Sequence, residues 1–285
     1  MKQAIRHPAV SGLFYPSDKK ELRSLVTGLL QNSPAGNIEK GSIRAIMVPH
    51  AGYSFSGGIA AMAYNTIRKL SCNTVFIVGN AHTHPFEGIA LDCHEVWESP
   101  LGKVQVNTTL AEQLHTRYPE LCFCSEAAHL SDHILEVQLP FIQCVLEQGY
   151  TILPLLFGIN PPDIYDAAAR IILGVLQPGD LFIASSDLSH YPSYRNANTI
   201  DRTTIEYIVN KDIHGLEQHK QTTLEKNVPH EETLFCGPDA IKTLMQLANL
   251  KNWKATMLCY ANSGDAPFAD KEAVVGYGAV AFYES

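Results

Sequence analysis

Short apolar runs recur along this chain with helix-like stretches between them, and few folds accommodate that alternation. The runs fall at 43–48, 74–78, 88–92, 151–157, 180–184, 255–260 and 273–282. Several are apolar at successive positions, so both faces are covered, as in strands held between two helix layers. Helices are expected at 18–30, 57–70, 108–117, 132–148, 161–176, 196–210 and 238–250. Asp18 stands where an N-cap belongs, and Ser131-Asp132 opens the fourth helix with two good capping residues. Pro161 lies near the start of the fifth, where a missing N–H costs nothing. The segment 218–232 is polar and irregular and reads as a surface excursion. No Pro-rich or Gly/Ser-rich linker, low-complexity tract or repeat divides the chain. This points to one α/β domain over 1–285, with a mixed or parallel central sheet flanked by helices.

Composition narrows the function classes. A chain of 285 residues, 46% of them apolar, can bury a substantial core without staples. Basic residues number 21 against 29 acidic, a net charge of −8. With no basic stripe, a general nucleic-acid backbone binder and polybasic attachment to a membrane surface are both excluded. The apolar stretch 152–159 is far shorter than the ~18 residues of a membrane span. The N-terminal segment lacks the continuous apolar core of a secretory signal. Seven cysteines, an odd number without zinc-ribbon spacing, fit a reducing cytoplasm better than a disulfide framework. Cys72, Cys93, Cys144 and Cys259 stand in apolar or strand contexts and read as packing residues.

The candidate chemistry lies just after the apolar runs. Pro49-His50-Ala51-Gly52-Tyr53 follows the first, Gly79-Asn80-Ala81-His82-Thr83-His84 the second, and Ser185-Ser186-Asp187-Leu188-Ser189-His190 the fifth. In open α/β sheets ligands bind beyond the carboxyl ends of strands, so these histidine loops can converge on one site. Cys236 precedes Gly237-Pro238 and a helical stretch, placing it before a helix N-terminus that favours thiolate. A buried, inert cysteine is the competing reading. In Ser131-Asp132-His133-Ile134-Leu135-Glu136, His133 and Glu136 share one face of the expected helix. They either reach into the site or leave Glu136 as a solvated face residue. His94, His115, His214 and His219 read as ordinary structural or surface residues, while His7, His129 and His230 stay open. There is no Walker loop, GxGxxG, GxSxG or HExxH, so a nucleotide or nicotinamide enzyme has no support.

Five ordered blocks resemble the Memo family, whose bacterial and archaeal members are also called AmmeMemoRadiSam system protein B. The blocks are Arg6–Pro16, Pro49–Tyr53, Asp132-His133 with Glu136 and Leu139-Pro140, Ser185-Ser186-Asp187 with His190, and Cys236-Gly237. Two departures stand out. The family's Gly-Pro-Ser-His is Gly79-Asn80-Ala81-His82 here with a further His84, so the second ligand is His82 or His84; and the block before the central helix reads Ser-Asp-His.

The resemblance implies a fold similar to class III extradiol ring-cleavage dioxygenases, with metal ligands at His50, His82 and Cys236 and a polar pair at Asp187 and His190. Two histidines with a third anionic ligand are close to the facial triad of Fe(II) oxygenases, and a thiolate widens the metals to copper and zinc. The implied function is an iron- or copper-dependent oxidase or dioxygenase-like protein. His190 would be its acid/base, Asp187 would orient a ligand or His190, and His133 would be a third catalytic residue. Two alternatives remain: a non-enzymatic adaptor holding a small molecule or peptide in the same pocket, and a Cys- or Zn-dependent hydrolase. The family's name also implies a functional link to AMMECR1-like and radical-SAM proteins. From the charge balance, duplex DNA should not shift appreciably in a mobility assay at physiological salt; sub-micromolar, salt-sensitive binding would contradict this.

Overall fold

The computed structural model describes residues 4–34, 42–226, 228–229, 231–266 and 269–284. His230, and part of the expected excursion at 218–232, lie outside the described residues. In chain order the elements are β1 (Ile5–Arg6), α1 (Lys19–Asn32), β2 (Ile43–Val48), α2 (Tyr53–Thr66), β3 (Thr74–Asn80), β4 (Ile89–Leu91), β5 (Val96–Ser99) and β6 (Gly102–Gln105). Then come α3 (Thr108–Arg117), β7 (Cys122–Cys124), α4 (Glu126–Leu130), α5 (Leu139–Val145), β8 (Thr151–Phe157) and α6 (Ile164–Leu173). The chain closes with β9 (Leu181–Ser185), α7 (Tyr194–Asn210), α8 (Ile213–Glu225), α9 (Pro238–Leu250), β10 (Lys254–Asn262) and β11 (Gly276–Tyr283).

Eight strands form a mixed sheet in the order β10-β11-β2-β9-β3-β8-β4-β7. Its centre, β2-β9-β3-β8, is parallel, while β10/β11, β11/β2 and β4/β8 are antiparallel. Alternation along each central strand feeds two cores. Ile46, Val48, Ile77 and Ile183 pack on one face with Leu22, Tyr64 and Phe141. Met47, Phe76, Val78 and Phe182 pack on the other with Leu244 and Trp253. Both faces are therefore covered by helices, which explains the apolar runs. Asp18 caps α1 as expected, accepting from Lys20 N and Glu21 N.

The helix expected over 132–148 is broken. Residues 136–138 form one 3₁₀ turn, and α5 starts afresh at Leu139 with Pro140 in its first turn. Proline cannot donate the N–H that a continuous helix would need there. Glu136 is not a solvated face residue: it is wholly buried, as is its partner Arg6. Arg6 NH1 reaches Glu136 Oε2 at 2.6 Å, Nε donates to His129 O and NH2 to Asp132 O. The guanidinium also lies 4.3 Å from the Trp97 ring. Glu136 further accepts from Ala9 N, Val10 N and the Tyr15 hydroxyl. The segment expected to be an irregular excursion is helical as far as Glu225. Its pattern is weak because α8 buries little beyond Leu216 and Thr223 on its polar surface.

A three-stranded sheet, β1-β5-β6, was not legible as strands and holds Arg6 in place. One cysteine expectation is also corrected. Cys93 is not a packing residue but forms a disulfide with Cys124, while the other five cysteines are free.

Breaking a buried ion pair by removing one partner leaves an uncompensated charge. Arg6→Met should therefore cost about 3–5 kcal/mol in urea unfolding. Adding Glu136→Gln should recover part of that loss; a double variant no more stable than Arg6→Met would contradict this.

Candidate metal centre

Because β9 lies between β2 and β3 and all three run parallel, their carboxyl ends open on the same edge. His50 follows β2, His82 follows β3, and Ser185–His190 leaves β9. The fourth contributor arrives with α9, which packs over β3 and β9. Gly237 permits that approach: a Cβ there would lie 2.8 Å from Ser186 Cβ and 2.9 Å from Ser185 O. The loops are stitched together, Gly237 N donating to Ser186 Oγ and His190 N to Thr233 O.

The result is a trio. One donor atom each of His50, His82 and Cys236 lies within 4.8 Å of the others. Cys236 Sγ is 3.1 Å from His50 Nε2. His84 is not part of that group; it lines a neighbouring cavity with Asn80, His82 and Thr83. His133 stands beside the trio, its ring centroid 5.7 Å from those of both His50 and His82, and Phe14 packs on it at 4.6 Å.

Hydrogen bonds set the tautomers. Ser185 Oγ gives its proton to Ile134 O and accepts from Gln138 Nε2. His50 Nδ1, 3.1 Å away, must then be the donor, leaving Nε2 with a free lone pair towards Cys236. His82 Nδ1 donates to Asn80 O and His190 Nδ1 to Leu188 O, both at 2.8 Å. Three imidazoles are thus held by Nδ1 and carry the lone pair on Nε2, as a ligand or base requires. Asp187 bonds to the His50 loop rather than to His190, its Oδ1 accepting from His50 N at 2.8 Å and Ala51 N at 3.3 Å.

Charge is disfavoured at His50, His133, His190, Cys236 and Asp187. Burial, reinforced by repulsion from His82, His133 and His190, pushes His50 well below the ordinary imidazole range. Burial likewise lowers His133 and His190. It drives the Cys236 thiol far up, helped by the nearby Asp187. Asp187 itself rises to about 7 through burial, partly offset by its two amide donors. Without a cation, His50, His133 and His190 therefore favour the neutral imidazole and Cys236 the neutral thiol, its S–H directed at His50 Nε2. Nearby, Tyr191 adopts φ 69°, a strained conformation for a bulky residue, with its ring 5.8 Å from that of His190.

Several contributors carry no catalytic signature in the sequence. Asn80 anchors α9 by accepting from Asp239 N and donating to its carboxylate, while its own carbonyl holds His82. Asp132, expected only as a helix cap, accepts from His82 N at 2.8 Å. Gln138, a polar residue in an apolar run, was the one visible hint.

A family profile described as Memo-like protein matches residues 6–281. A MEMO1 family protein of Desulfurococcus amylolyticus is 34% identical, the match covering 98% of this chain and 99% of the relative. Another, of Nitrosopumilus maritimus, is 32% identical with the same coverage. Among solved structures, an uncharacterized protein from Escherichia coli K12 is similar with a TM-score of 0.53 and 12% identity. That match covers 84% of this chain and 99% of the other, and it speaks to the fold alone.

The Asp187 shift has a definite sign. Its carboxyl titrates near 3.8 when free and near 7 in the fold. Its contribution to stability is thus full below about pH 4 and lost as pH rises through 7. Asp187→Asn keeps an oxygen for both amides but cannot ionise. In metal-free urea unfolding it should flatten that decline by on the order of 2 kcal/mol; parallel wild-type and variant profiles would contradict the assignment.

Proposed function

The chain belongs to the Memo-like protein family, and from that premise we propose that it is a metal-dependent redox protein centred on His50, His82 and Cys236. The observation that carries this reading is the convergence of three donor atoms within 4.8 Å, two of them imidazole nitrogens. Bonds of about 2.0–2.3 Å to one ion would set ligand atoms roughly 3–4 Å apart, so small side-chain shifts suffice. The donor chemistry fits a soft or borderline cation: neutral imidazoles need no proton loss, and a cation would stabilise the thiolate that burial otherwise prevents. Iron or copper, when bound, would supply one-electron chemistry and open coordination positions, whereas zinc would supply a Lewis acid.

The protein's own residues would do the rest. Asp187 fixes the backbone of His50, Asn80 and Ser185 aim the two imidazoles, and Asp132 steadies the His82 loop. His190, with Nδ1 committed to Leu188 O, keeps Nε2 free to take a proton from a bound substrate. His133, backed by Phe14, forms the adjoining wall. A nucleophilic cysteine is less well supported. Cys236 is pushed up while His50 is pushed down, so no thiolate–imidazolium pair forms. We place the protein in the cytoplasm, in keeping with five free thiols, and assign its pocket to a small molecule or peptide. A link to AMMECR1-like and radical-SAM proteins belongs to the same proposal.

The test is metal binding under argon by wild type, Cys236→Asp and Cys236→Ala. Cys236→Asp should retain Fe(II) through two histidines and a carboxylate but lose Cu(I). Cys236→Ala should lose at least tenfold in Cu(I) affinity, about 1.4 kcal/mol. Unchanged Cu(I) affinity in Cys236→Ala would end the ligand assignment.

A further inference from the structure

The disulfide sits at the far edge of the large sheet, yet a short run of anchored residues joins it to the trio. Cys93 follows β4, and Cys124 ends β7, the outermost strand, pairing with Leu91. Cys124 is exposed and Cys93 partly so. Ser125 then donates its N–H to Leu91 O and caps α4 by accepting from Ala128 N. Within α4, His129 Nε2 bonds Ala90 O, and the His129 and Asp132 carbonyls are held by Arg6. Asp132 fixes His82, and His133 enters the cluster. A three-residue edge strand and a five-residue helix have little stability of their own and depend on such anchors. Only one of those anchors is covalent.

We propose that the Cys93–Cys124 bond is a reversible thiol–disulfide modification site whose state sets how firmly the His50/His82/Cys236 trio holds its metal. The bond and its link to α4 stand independently; the metal part rests on the metal-centre reading above. A protein or small-molecule dithiol is the reductant. One of its thiolates attacks a sulfur to give a mixed disulfide, which its second thiol resolves. The S–S bond breaks, two electrons and two protons pass to Cys93 and Cys124 as thiols, and the dithiol leaves as its own disulfide. Exposed disulfides are the labile class, and in a reducing compartment those that occur are commonly sensors. Release of Cys124 loosens α4, and through Asp132 the backbone of His82. By linkage, metal bound at the trio protects the disulfide from reduction by the same factor.

The probe is Zn(II), which is redox-inert, on the full chain. Compared are oxidised wild type and Cys93→Ser/Cys124→Ser, which lacks the bond and adds no competing thiol. The variant should bind Zn(II) about fivefold or more weakly. Amides of 125–134 should exchange faster in the variant, and equally fast in wild type reduced by a dithiol, so a poorly folded variant would not decide the matter alone. Titration of denatured, air-purified wild type should find five free thiols. Seven thiols, unchanged exchange, or Zn(II) affinities equal within about twofold would each overturn the proposal. If oxidised wild type binds no Zn(II), the metal-centre reading fails and this proposal with it; if both forms bind equally, this proposal fails and the metal-centre reading stands.

Discussion

The site depends on one feature of strand order: β9 lies between β2 and β3, parallel to both. Neighbouring strands are ~4.8 Å apart, so β2 and β3 end about 10 Å from one another, a gap two imidazoles can close. An antiparallel β9 would send the loop of Asp187 and His190 to the opposite edge. More strands between β2 and β3 would carry His50 and His82 beyond each other's reach. The parallel order also requires the crossovers that cover both faces with helices, so core and cleft follow from one arrangement.

The cleft is then kept in shape by charges used away from it. Glu136 is spent entirely on Arg6, Tyr15 and two backbone amides, beneath the segment that carries Asp132 and His133. Asp187 spends one oxygen on the His50 loop. The groups left facing the interior of the site are imidazoles and a thiol, and burial opposes charge on His50, His190 and Cys236. Such a set is well prepared for a cation and poorly prepared for an uncompensated anion.

Much of this was legible in the residues because apolar periodicity is local. Runs covered on both faces marked the central strands, and histidines directly after them marked the loops that meet. The misreadings have equally local causes. In α8 the buried stripe is too thin to register as a helix. In 132–148 the capping residues and periodicity suggested one helix, whereas Pro140 and the burial of Glu136 divide it. The Cys93–Cys124 bond joins residues 31 positions apart and was masked by the apolar look of each segment. The strands of the small sheet are too short, at two to four residues, to show a period.

By itself, the sequence determined which segments would be strands and helices in the centre of the fold, and which residue types would stand at their ends. These are consequences of side-chain burial and of backbone preferences within a few residues. The resemblance already pointed to His82, and tertiary structure brings it rather than His84 to His50 and Cys236. Tertiary structure alone decided which imidazole nitrogen faces inward, and that Asp187 supports His50 rather than His190. Each of those outcomes depends on a partner far along the chain: Ser185 for His50, Asp132 for His82, Ser186 for the loop of Cys236. A hydrogen bond of fixed direction between distant residues leaves no periodic trace in a sequence, because only the sheet order brings its two ends together.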